Sequence, residues 1–197
     1  MNFLLIFTLI NGLILTEPPT LNEWKEISFE LEGNYYKKDN AQFGYLLSFY
    51  LGLPFSSEFS FDISYEKKEW DFVLYYKKGF ETLLFKSALR VGIDKDKNLL
   101  SIGSLGREFT LLNLYGCGGF FYEKKEKKFF PLFGLALEKS FSNLLLTTEF
   151  YKEKEDKIIT LGINYSLSIL DIYTGIRKNF SDGNFIFNFG IGKSFSF

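Results

Sequence analysis

Histidine is absent from this 197-residue sequence, and cysteine occurs once, at Cys117. A disulfide framework within the chain is therefore excluded, and so is any metal site built on cysteine or histidine. Cys117 lies in Gly116-Cys117-Gly118-Gly119 with no histidine to activate it, so it reads as a small wall residue and not as a nucleophile. Charge of one sign is also lacking: 23 Lys and Arg face 24 Asp and Glu, and a net charge of −1 gives no electrostatic reason to expect nucleic acid as a partner. What the sequence does hold is 20% aromatic residues, 25 of them Phe and 12 Tyr, alongside 24% charged residues. That mixture suits neither a disordered chain nor a bundle of membrane helices. Aromatics and charges without many long apolar runs fit a closed sheet that is apolar outside and polar inside.

One apolar run stands apart. Phe3 to Leu15 is broken only by Thr8, Asn11 and Gly12. It is too short to cross a bilayer as a helix and has the length of a signal-peptide core. Glu17-Pro18-Pro19 then ends any helix, because proline removes a donor and restricts the residue before it. The expected division is a signal peptide over 1–16, a short lead-in over 17–25 and a β-barrel over 26–197. The segment before the run carries no Lys or Arg, and Thr16 and Gly12 are the best cleavage positions.

From Ile27 onward the apolar residues recur at period two. Ile27, Phe29 and Leu31 alternate with Ser28, Glu30 and Glu32; Phe59, Phe61, Ile63 and Tyr65 alternate with Ser60, Asp62 and Ser64. Ile159, Leu161, Ile163, Tyr165 and Leu167 do the same with Thr160, Gly162, Asn164 and Ser166. In a strand this spacing puts one set on each face. A β-sandwich can alternate in this way, but its apolar faces must share one core ~10 Å thick. This many bulky residues would overfill such a core, whereas a lipid-facing surface removes the limit.

Turns supply the strand count. Charged turns occur at Lys37 to Asn40, Glu66 to Glu69, Asp94 to Asn98, Glu123 to Lys128, Lys152 to Lys157 and Ser181 to Asn184. Smaller turns are expected between them, near Pro54 to Ser57, Lys78-Gly79, Ser104 to Gly106, Lys139 to Asn143 and Leu170-Asp171. Arg107 to Tyr122 reads as one strand, with Gly116 to Gly119 as a bulge or small-residue patch inside it. The alternation of turn types predicts an all-β, transmembrane, antiparallel up-and-down barrel of twelve strands, with ten the next count, and both termini on one side. The charged tips read as solvated hairpin ends.

The final segment carries a family resemblance. Phe185, Phe187, Phe189, Ile191, Phe195 and Phe197 share one face; Asn188, Gly190, Gly192, Ser194 and Ser196 share the other. An alternating strand ending in a C-terminal Phe resembles the closing strand of bacterial outer-membrane β-barrel proteins. The resemblance implies an outer-membrane location and a lipid bilayer around the barrel. It also implies recognition by the barrel-assembly machinery, with Phe189, Ile191, Phe195 and Phe197 as the assembly signal. Lys193 departs from the pattern, since it falls in the lipid-facing set, where a long side chain must snorkel.

No motif in the sequence carries catalysis. Gly190-Ile191-Gly192-Lys193-Ser194 lacks the spacing and the following helix of a phosphate-binding loop. Enzymes that resemble this barrel class rely on histidine, which is absent, so no enzyme, cofactor or metal is expected. The carboxylate pair Glu30 and Glu32 reads as structural and not as an acid/base couple. The alternation points Glu30, Glu32, Asp62, Asp71, Glu138, Glu149 and Asp171 inward, together with Lys86, Arg90 and Arg177. Small inward residues (Gly44, Gly134, Ala136, Gly162, Gly175, Gly190 and Gly192) are expected to leave room for water. An acidic lumen favours cations, so the leading expectation is a narrow channel for small neutral or cationic solutes. The alternative is a structural or interaction barrel whose lumen is closed by salt bridges. A soluble secreted barrel around a hydrophobic ligand is a third reading.

Overall fold

The computed structural model describes residues 22–37, 42–66, 68–82, 84–109, 112–153 and 156–196. The expected signal peptide, residues 17–21 of the lead-in and Phe197 lie outside them. Alternating sequence becomes alternating burial. Along Gln42–Leu53, Leu46, Ser48, Tyr50 and Gly52 are buried while Tyr45, Phe49 and Leu51 are exposed. Twelve such strands follow one another: β1 (Glu26–Lys37), β2 (Gln42–Leu53), β3 (Ser57–Glu66), β4 (Glu69–Glu81), β5 (Lys86–Asp94), β6 (Leu99–Glu108), β7 (Asn113–Glu123), β8 (Lys128–Phe141), β9 (Leu144–Glu153), β10 (Asp156–Ser166), β11 (Asp171–Asn179) and β12 (Phe185–Ser196). Each pairs antiparallel with its neighbours in sequence, and β1 pairs β12 from Glu26 opposite Ser196 to Lys37 opposite Phe185. The sheet therefore closes without an open edge, which is how a sheet can satisfy its backbone groups in lipid. Glu26 and Ser196 lie at the same end of the barrel.

Two expected turns are displaced. Lys78-Gly79 is inside β4, which runs to Glu81, and β5 begins at Lys86. Ser104 to Gly106 is inside β6, which ends at Glu108, and β7 begins at Asn113, so Arg107 to Tyr122 is not one strand. The sequence between these strands holds no glycine or proline, the residues that usually mark a turn. Hydrogen bonds join the strand ends instead: Thr82 N donates to Phe85 O at 2.9 Å, and Phe109 N to Leu112 O at 2.9 Å. The Thr82 hydroxyl adds bonds to the Phe85 carbonyl and from the Phe85 amide. Gly116 to Gly119 lies within β7, as expected.

The exterior is a belt of exposed aliphatic residues, among them Leu31, Leu74, Val91, Leu135, Leu137, Leu161 and Ile163. Aromatic pairs stand at the charged-turn end: Tyr35 with Phe43 at 5.1 Å, Tyr65 with Trp70 at 4.8 Å and Tyr122 with Phe129 at 4.8 Å between ring centroids. At the opposite end, Arg107 lies over the rings of Phe85 and Phe109, and Lys139 over Phe141. An aliphatic belt between two aromatic girdles matches the layering of a bilayer. Lys193 fits this order, because its ammonium reaches the rim and donates to the Ser168 carbonyl at 3.0 Å.

Candidate lumen site

The inward faces of the strands converge on a polar cluster and an apolar cluster. In the polar one, Asn188 of β12 donates to Glu32 Oε1 on β1 at 2.7 Å and also to Asn34 Oδ1. Arg177 of β11 places Nη2 at 4.0 Å from the same Glu32 oxygen. Further along the lumen, Tyr50 on β2 donates to Glu30 at 3.4 Å. Arg90 on β5 stacks at 3.7 Å over the ring of Tyr75 on β4, and its Nη2 donates to Ser60 on β3 at 3.3 Å. Water hardly reaches these groups: Glu32, Asp62 and Arg177 are 1% exposed, and Arg90 and Glu149 are 2% exposed. Charges this deep require partners, because an isolated buried ion is strongly penalised.

Not every expected lumen residue joins that cluster. Glu138 is buried on β8 beside Tyr115 and Asn113. Asp71 is buried near the charged-turn end of β4 and accepts from the Phe72 amide at 2.7 Å. Lys86 is at the other rim, half-exposed and paired with Glu108 at 2.7 Å, so it does not belong to the central network. Asp171 is half-buried at the same mouth.

Several interior residues were not expected. Lys77 and Asp94 are both buried, although the sequence pattern puts each in or beside a turn. The apolar cluster (Val73, Leu100, Ile102, Phe121, Leu132 and Ile158, with Cys117 among them) packs on the inward side together with Tyr50, Tyr75 and Tyr151. Its signal was present as apolar neighbours in pairs such as Val73-Leu74, Leu99-Leu100 and Phe120-Phe121, where both faces of the strand are apolar. The small inward residues also do not simply admit water. A Cβ on Gly190 would lie 2.2 Å from the Tyr173 ring, and one on Gly92 would lie 2.4 Å from the Tyr75 ring. At both positions a tyrosine from the preceding strand occupies the space that the glycine leaves.

At the short-turn mouth the residues ahead of β1 fold inward. Asn22 N donates to Glu58 at 2.9 Å, and Asn22 Nδ2 donates to Ser28 at 2.8 Å. A polar recess of about 180 Å³ lies beneath, lined in part by Glu30, Glu58, Asp171 and Tyr173.

Comparison with solved structures gives a consistent picture. The KdgM porin superposes with a TM-score of 0.70 at 10% identity, covering 84% of this chain and 99% of that one. This is the fold of the outer-membrane porins. The NanC porin is similar at a TM-score of 0.68 and 8% identity, over 83% of this chain and 98% of that one. The outer membrane protein Omp33 of Acinetobacter baumannii is similar at 0.52 and 11% identity, over 89% and 100%. No family model matches the sequence, and no curated protein matches it. The shared property is thus the fold.

Proposed function

We propose that the protein is a narrow channel of the bacterial outer membrane for small neutral or cationic solutes, held closed at rest by its own wall. The observation that carries this reading is the acidic balance of the buried charge along the inward wall. Glu32, Glu58, Asp62, Asp71, Asp94, Glu138 and Glu149 are buried at different depths, and so are Lys77, Arg90 and Arg177. An acidic wall lowers the barrier for cations and raises it for anions. A second structure of the KdgM porin is in complex with disordered oligogalacturonate. A polyanion of that kind is disfavoured by the wall described here.

Planar-bilayer recording tests the proposal. The wild type is expected to give rare, small openings that prefer cations, and the double variant Arg177→Ala/Glu32→Ala longer ones. Preference for anions would overturn the reading. Silence of both proteins would support a second one, a structural or interaction barrel with a permanently closed lumen. That alternative is favoured by the apolar cluster around Phe121, whose side chain is fully buried.

A further inference from the structure

The recess at the short-turn mouth presents Glu30 from β1, Glu58 from β3 and Asp171 from β11 to one space of about 180 Å³. Lys77 and Lys193 also line it. Asn22 already engages one Glu58 oxygen. Tyr173 forms part of the wall, is buried, and its hydroxyl has no hydrogen-bond partner among the described residues. Asn164 contributes a carbonyl oxygen in the same condition. Orphaned polar atoms beside an acidic recess mark a place where a bound donor would recover hydrogen bonds.

The carboxylates line one cavity, yet among the described residues no group of three is close enough to hold a metal ion. Their spacing calls for a molecule that carries its positive charge and donors at separated points. The volume is close to that of a cavity of ~150 Å³ that accepts benzene, which limits the guest to a handful of non-hydrogen atoms. We propose that this recess is a binding site for a small organic ammonium compound, held by Glu30 and Asp171 and donating to the Tyr173 and Asn164 oxygens. The inference rests on the reading of the lumen as a solute path, for which the recess is the vestibule.

Calorimetric titration of the folded barrel in detergent micelles, with putrescine as the probe, tests this directly. Saturable binding is expected, with uncharged butanediol and calcium both far weaker. Glu30→Gln and Asp171→Asn should each weaken putrescine by about tenfold, the loss of one charge-assisted contact. Heat-modifiable gel migration reports whether each variant is folded, and Asp171→Asn, at the half-buried rim, leaves the central network intact. Equal binding of butanediol, preference for calcium, or unchanged affinity in folded Asp171→Asn would each overturn the site. Bilayer recording separates the two readings. Binding without conductance leaves the site standing and removes the channel, whereas cation conductance without binding removes the site alone.

Discussion

At the scale of single residues, the lumen is governed by who satisfies whom. Glu32 accepts from Asn188 and faces Arg177, with all three side chains buried. Removing the guanidinium in Arg177→Ala leaves a carboxylate uncompensated, so the loss is expected near ~3–5 kcal/mol, with the double variant Arg177→Ala/Glu32→Ala recovering part of it. Urea unfolding in micelles, followed by tryptophan fluorescence, would measure both. The Tyr173–Gly190 contact makes a second case. Gly190→Ala forces a methyl into the ring and should cost ~1–3 kcal/mol, while adding Tyr173→Leu should relieve much of that penalty. If the alanine is neutral with Tyr173 intact, the packing described at that position is wrong. Only part of this scale was legible in the sequence. Period two placed Glu30, Glu32, Asp62 and Arg177 inward, but their partners depend on register across the closure, where Asn188 and Glu32 are 156 residues apart. Lys77 was missed because the Lys78-Gly79 pair looks like a turn, whereas the true tip uses the Thr82 hydroxyl.

At the scale of the strand, the outward residues answer to depth in the bilayer. Phe189 is exposed midway along β12, and Phe195 is near its end. A lysine at Phe189 should cost ~2–4 kcal/mol at the midplane and the same change at Phe195 only ~0–1 kcal/mol. Refolding titrations into vesicles would compare the two, and equal costs would contradict the placement of the belt. The charged hairpins obey a different logic. Lys68, Lys97 and Lys127 take positive φ values of 68°, 63° and 55° at their tips, the left-handed position that ends many short hairpin loops. Replacing Lys97 by glycine should be neutral or slightly stabilising, because glycine enters that region without steric cost. Strand existence and count were readable because alternation and charged tips repeat along the whole chain. The boundaries at residues 82–85 and 109–112 were not, since hydrogen bonds and not turn residues define them.

At the scale of the whole molecule, the barrel shows how one sequence serves two solvents. Its outward set meets hydrocarbon between aromatic girdles, and its inward set makes a core partly of buried polar and charged side chains and partly of Val73, Leu100, Phe121 and Leu132. The protein is expected to fractionate with outer membranes and to migrate faster on gels before boiling than after it. Equal migration would argue against a closed barrel. The seam between β1 and β12 has a further consequence, one of time. The two strands that close the ring are the first and the last of the twelve, and they pair along their full length. Until the final strand is available, β1 keeps an open edge with a row of unsatisfied donors and acceptors, an invitation to the wrong partner. The most distant contact in sequence is therefore also the one that ends the period of risk, and slow delivery of the last dozen residues would lengthen that exposure more than slow delivery of any others.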